Sequence, residues 1–269
     1  MAFDPNNVII EDNLDGLTSG RYNGYVAHVY CYEGDCYFEF NDMEFTISKG
    51  NTMIITMTRL TANLRPSEDF KAKVIYVQLQ FLEASSPRNN YGIKGTLALY
   101  LNPVMKLTQE EQERCQADFE MVERRLNHQN HLFQEDMMMC TLQALFLDYF
   151  DFHARVYGYD SISLQNSEIM QRFFTLLESG IYREHRELSY YASELCITSK
   201  YLSELCKKIT GLSANFWINR FTIIEINKLL KSREMSLPEI AEAFNFSSQA
   251  YFSRYVQNYL GQLPSNYRF

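Results

Sequence analysis

The chain predicts an α+β protein: an N-terminal antiparallel β-barrel or jelly roll, then helices, then an all-α domain. Three observations carry this. Residues Tyr22 to Leu82 are rich in aromatic and β-branched side chains and are cut by turn signals at hairpin spacing. From residue 105 the apolar positions change to helical spacing. Beyond residue 188, two similar helix–turn–helix patterns flank one long helix that is apolar on most sides. A length of 269 residues leaves room for two domains.

In the first half, the turn signals are Glu33-Gly34-Asp35, Asn41-Asp42, Lys49-Gly50-Asn51 and Arg65-Pro66-Ser67. They separate expected strands at Val26–Tyr32, Cys36–Phe40, Phe45–Ser48, Thr52–Met57 and Lys73–Leu79. A small closed or two-sheet antiparallel architecture manages such short strands economically. Alternation places His28, Tyr30 and Tyr32 on one face and Tyr25 on the other, without saying which face is inside. Barrel mouths are favoured ligand sites, so a small-molecule site is expected here without assigned residues.

Catalytic chemistry finds little support. Of five histidines, His28, His128, His131, His153 and His185, only His28 falls among the strands. His128 and His131 stand at i, i+3 on an expected helix but lack the third ligand that a zinc site needs. Their plainer reading is a solvated pair, and no metal or cofactor is expected. Cys31 and Cys36 sit five apart across a turn; they read as buried packing residues, with a redox pair as the alternative. Cys115, Cys140, Cys196 and Cys206 fall in helical patterns and read as core. No Ser-His-Asp arrangement or paired-carboxylate site stands out, and 11 glycines supply no phosphate-cradling loop. The chain reads as a non-enzyme.

Thr108 with Glu110 and Glu111 opens a helix through a cap and acidic first-turn residues. Phe119, Val122 and Leu126 follow at helical spacing. A second helix is expected from Phe133 to Tyr157, carrying Met137 to Met139, Leu142, Leu145, Phe146, Tyr149 and Phe152. One partner helix cannot cover that much apolar surface. It packs on the barrel or forms a dimer seam, and the seam is preferred. Gly158 to Ser167 is polar and aperiodic, an interdomain linker.

The C-terminal pattern is the most informative. Ser236 with Glu239 is a capping box, and Pro238 is tolerated in the first turn. Leu237, Ile240, Ala241 and Phe244 form one apolar stripe. After a break, Ser247 is expected to cap a helix whose buried side is Phe252, Tyr255, Val256 and Tyr259. The remaining face holds Gln249, Ala250, Ser253, Arg254 and Gln257. Gln can bond adenine bidentately, Arg guanine, and Ala can touch a thymine methyl. The same layout occurs upstream: Leu188, Ala192 and Leu195, then a turn at Cys196-Ile197 and a cap at Thr198. The helix that follows buries Leu202, Leu205, Cys206 and Ile209 and stops at Gly211. Its remaining face is Ser199, Lys200, Ser203, Glu204 and Lys207. Ser213 to Lys231 links the two copies; at ~1.5 Å per residue it spans ~28 Å, near the ~34 Å between successive major-groove segments.

These residues resemble the AraC/XylS family of bacterial transcription regulators. The resemblance covers about Gln165 to Phe269 and rests on Thr198-Ser199-Lys200-Tyr201-Leu202-Ser203, Lys207-Lys208-Ile209-Thr210-Gly211 and Gly261…Pro264…Tyr267-Arg268. It implies a domain whose two helix-turn-helix units enter adjacent major grooves of double-stranded DNA. Carried over by position, it implies base contacts from Lys200, Ser203 and Glu204 and from Gln249, Ala250 and Arg254. Lys207, Ser248 and Ser253 complete the candidate DNA-binding set. Two residues depart from the pattern: Glu204 stands where many members have Arg, and Asn245 where Gly is usual. Many members also place a cupin-like regulatory domain first and pair subunits through the helices after it. The chain matches that half by layout only. The implied division is a β-barrel regulatory domain at 1–104, dimerisation helices at 105–158, a linker at 159–166 and the DNA-binding domain at 167–269.

Charge supports this thinly. The chain carries a formal −8, yet from Gln165 onward it has 12 Lys and Arg against 10 Glu and no Asp. A surplus of two cations is small for displacing counterions from phosphate, and dimerisation or clustered sites would compensate. The N-terminus shows no basic stretch followed by an apolar core, and no apolar run approaches the ~20 residues of a membrane span. Six cysteines without framework spacing suit a reducing cytoplasm. The expected function is a cytoplasmic, dimeric, sequence-specific transcription regulator that senses a small molecule or contacts RNA polymerase. The alternatives are a metal-dependent cupin enzyme with a helical tail, and a regulator whose barrel only dimerises.

Overall fold

Strand alternation and helix capping organise the two parts of the chain separately. The computed structural model describes residues 3–41, 43–87, 95, 98–128, 131–158 and 163–268. They fall into two units, Met1–Ser161 and Ile162–Phe269.

The first unit holds β1 Val8–Glu11, β2 Tyr25–Glu33, β3 Asp35–Phe40, β4 Met43–Ser48, β5 Asn51–Ile55, β6 Thr61–Pro66, β7 Lys71–Gln78 and β8 Val104–Lys106. They form two antiparallel sheets, a five-stranded one ordered β1-β7-β2-β5-β8 and a three-stranded one ordered β4-β3-β6. The sheets share no strand, so the expected barrel is an open two-sheet arrangement. Between them Ala27, Val29 and Cys31 of β2 meet Cys36, Phe38 and Phe40 of β3, with Met53, Ile55, Val74 and Tyr76. The other face of the five-stranded sheet presents Val26, His28, Tyr30, Ile54, Ile75 and Val77. Helices cover it, so β2 is buried along most of its length.

Those helices are α1 Leu79–Ser85, α2 Gln109–Asn127 and α3 Gln134–Tyr157. Thr108 and Glu111 close the capping box on α2. Glu111, itself buried, also accepts from Arg155 Nε at 2.6 Å, tying the start of α2 to the last turn of α3. Leu142, Leu145, Phe146, Tyr149 and Phe152 of α3 pack on the sheet. The apolar stripe that favoured a dimer seam is therefore used within the unit.

Several expectations need correction. β1, β6 and β8 were not legible: β8 has three residues, and β6 alternates weakly because it is largely exposed. The supposed turn at Arg65-Pro66 ends β6, an edge position where proline is tolerated. His131 is not on a helix; α2 ends at Asn127 and His131 lies in the connection to α3. Cys140 and Cys196 are exposed, whereas Cys31 and Cys36 are buried free thiols. Burial pushes the Cys31 thiol up to about 11, away from thiolate reactivity.

The second unit is helical: α4 Leu164–Glu178, α5 Leu188–Glu194, α6 Ser199–Thr210, α7 Ala214–Ser232, α8 Leu237–Ala243 and α9 Gln249–Leu260. The expected linker overlaps the start of α4, and its residues 159–162 lie outside the described residues. Trp217, Ile218, Phe221, Ile223, Ile226 and Leu230 bury most of the circumference of α7. This follows because α4, α5, α6, α8 and α9 all pack against it.

Candidate nucleic-acid interface

Helices α6 and α9 are copies of one design, 50 residues apart. Each has twelve residues. Thr198 Oγ1 accepts from Tyr201 N–H at 3.1 Å, and Ser248 Oγ accepts from Tyr251 N–H at 3.2 Å. Each helix stops at a left-handed glycine, Gly211 at φ 77° and Gly261 at φ 76°. Their N–H groups bond Lys207 and Gln257 carbonyls at 3.0 and 2.9 Å.

The turns before them match as well. Cys196 and Asn245 take φ values of 57° and 50°, and the next residues, Ile197 and Phe246, donate to Ala192 and Ala241 carbonyls at 2.9 Å. Asn245, standing where Gly is usual, thus takes a left-handed conformation that Asn tolerates better than most residues. The second turn is one residue longer. Ser247 fills the extra place and Ser248 is the cap, which corrects the expectation for Ser247.

Burial separates the two sides of each helix. Leu202, Leu205 and Cys206 face inward on α6, as do Phe252, Tyr255 and Val256 on α9. Tyr259, expected on the buried side, is 48% exposed. Lys200, Glu204 and Lys207 are exposed, and Ser203 is half-buried. Ser248, Gln249, Ala250 and Arg254 are exposed, and Ser253 is half-buried. Every residue of the candidate set therefore lies at least partly open on the second helix of its module or at its cap. At one equivalent position the two modules carry opposite charges. Glu204 Oε1 lies 3.9 Å from Lys200 Nζ, while Arg254 forms no ion pair among the described residues.

The sequence reading passed over three residues here. Tyr201 and Tyr251 are equivalent and open, 39% and 46% exposed. Aligning the chain with itself at a 50-residue shift would have paired them. Arg186, in the connection before α5, bonds the Phe244 and Asn245 carbonyls and lies over the Phe246 ring. Nothing in local periodicity points to that.

A family model described as a helix-turn-helix domain matches residues 191–269. The virulence regulon transcriptional activator VirF of Yersinia enterocolitica is 32% identical over 87 residues, 32% of this chain and 32% of VirF. The HTH-type transcriptional regulator ExsA of Pseudomonas aeruginosa is 31% identical over 87 residues, 32% of this chain and 31% of ExsA. Regulatory protein PocR of Salmonella typhimurium is 31% identical over 77 residues, 29% and 25% of the two chains. The matches thus span a quarter to a third of these relatives. A structure of ToxT from Vibrio cholerae aligns over 92% of this chain and 88% of that one, at 16% identity and a TM-score of 0.44. The C-terminal residues 191–269 thus form a helix-turn-helix domain.

Proposed function

We propose that the protein is a sequence-specific, double-stranded-DNA-binding transcription regulator. The supporting observation is the repeated capped helix, α6 and α9, each open on a polar face and both seated on α7. In this reading Gln249, Ala250 and Arg254 address base edges, with Lys200, Ser203 and Glu204 doing so in the first module. Lys207 and the backbone donors beside Thr198 and Ser248 hold phosphate; Ser248 and Ser253 border the second contact.

The regulatory division follows: residues 1–104 form the sensing domain, 105–158 the dimerisation helices, 159–166 the linker and 167–269 the DNA-binding domain. A second copy would add the cations that one domain lacks, which supports a homodimer. Contact with RNA polymerase and response to a small-molecule effector belong to the same reading, as does a cytoplasmic location. Among the described residues no helix is long and apolar enough to cross a membrane. Among the described residues no group of three metal-capable side chains converges.

Selection of bound fragments from random duplex DNA by the full chain tests the reading. Enrichment of a defined sequence is expected; recovery of unbiased sequence would overturn it.

A further inference from the structure

Outside the space between the two sheets, the five-stranded sheet and α3 border a partly open cavity of about 100 Å³. Its walls are almost wholly apolar, with Val26, Ile54 and Met105 on the sheet side and Phe146 and Tyr149 on α3. His28 borders it from β2. The residue is 3% exposed, and neither ring nitrogen has a hydrogen-bond partner among the described residues. Its ring is held between Phe146 at 5.3 Å and Tyr149 at 5.5 Å, parallel to the latter within 10°. Thr56, also on the cavity wall, has a buried hydroxyl without a partner among the described residues.

A buried polar group is ordinarily satisfied, so an unmet imidazole beside a cavity marks a place where a partner belongs. Burial drives the His28 pKa down to about 3, so the ring is neutral at physiological pH. A neutral imidazole has one donor and one acceptor. Among the described residues no Asp, Glu, Lys or Arg lines the cavity, which disfavours a charged guest. An apolar cavity of ~150 Å³ holds benzene; this one is smaller but partly open, which limits a guest to a single ring. Aromatic walls match an aromatic guest.

We propose that this cavity is a binding site for a small, uncharged, hydroxyl-bearing aromatic molecule of about phenol size. Its ring lies against Phe146 and Tyr149, and its hydroxyl bonds His28, with Thr56 as a second polar contact. The site gives the effector-sensing reading above a location and a ligand class, and its regulatory meaning rests on that reading. Occupancy is measured without DNA, so the two fail separately.

The test uses the full chain, with phenol as the probe and toluene as its counterpart lacking the hydroxyl. Calorimetry and thermal unfolding should show saturable one-to-one phenol binding that raises the melting temperature by mass action. Toluene should bind at least tenfold more weakly. His28→Leu should bring the phenol-to-toluene ratio near one, and Thr56→Val should lower it less. Equal binding of the two probes by the natural chain, absence of phenol binding up to its solubility, or an unchanged ratio in a folded His28→Leu chain would each overturn the proposal. If His28→Leu does not fold, the contrast in the natural chain decides.

Discussion

The guanidinium of Arg186 lies 4.2 Å from the centroid of the Phe246 ring. Arg186 precedes the first module and Phe246 is in the turn of the second, 60 positions later in the chain. The same guanidinium donates to the carbonyls of Phe244 and Asn245, the latter at 3.2 Å. One side chain thus fastens the second module's turn to the segment leading into the first.

Arg186→Ala should lower the stability of the C-terminal unit by about 1–3 kcal/mol, through lost charge-assisted bonds and ring contact. Arg186→Lys should recover less than half, because an ammonium cannot fork and stack in the same way. Denaturant unfolding gives the total. Hydrogen exchange at the Phe246 amide should rise more than at the Ile197 amide.

Asn245 tests the turn itself. At φ 50° a β-branched side chain is strained, so Asn245→Val should cost about 1–2 kcal/mol. Asn245→Gly should be nearly neutral. It relieves the backbone but loses the 3.3 Å bond from Nδ2 to the Glu184 carbonyl. Urea midpoints of the two variants separate these outcomes.

Arg254 and Glu204 occupy equivalent positions and should respond oppositely. Arg254→Ala should weaken binding by about 1–3 kcal/mol and relax preference at one base pair. Glu204→Gln keeps the length of a base-reading side chain but removes a carboxylate that repels nearby phosphates. It should relax preference at one base pair while tightening binding to unrelated sequence and steepening the salt dependence. Anisotropy titrations at several salt concentrations distinguish base contact from phosphate contact.

Asp118 supplies a pH signature in the N-terminal unit. Burial and the neighbouring Asp148 carboxyl raise its pKa from the usual value of 3.8 to about 7, against the pull of Arg114. Between those values the folded chain holds a proton that the unfolded chain releases. The stabilisation is full below about pH 4 and is lost as pH rises through 7. Urea unfolding should therefore weaken between pH 5.5 and pH 8, and Asp118→Asn should flatten that slope.

Removing the unmet imidazole should itself be favourable. His28→Leu replaces a buried, unpaired polar ring by an apolar group among Phe146, Tyr149 and Ile54. A gain of about 1 kcal/mol in unfolding free energy is expected in the absence of ligand. An equal loss would mean that the ring's packing outweighs its desolvation.

How far the sequence could be read depended on how local each determinant is. Thr198, Ser236 and Gly211 act within one turn of their helices, and all were placed correctly. The cap at Ser248 was missed by one residue, because Ser247 and Ser248 are equally able to cap and only the lengthened turn decides between them. Tyr201 and Tyr251 are aromatic yet open, a choice that residue type does not disclose. For α3 the apolar stripe could not tell packing on the sheet from a dimer seam. Leu142, Leu145 and Phe152 do need a cover, but the outer face of the five-stranded sheet provides it. His28 was seen as the lone strand histidine, while its seat between Phe146 and Tyr149 required the fold.

The Glu204 and Arg254 pair carries a consequence for any duplex the chain engages. Two helices of the same design present opposite signs at the same place, so they are not interchangeable. One protomer has a head and a tail, and would lie on its target in a single direction. A cognate half-site should then be unsymmetrical, and inverting it should abolish recognition rather than merely relocate it.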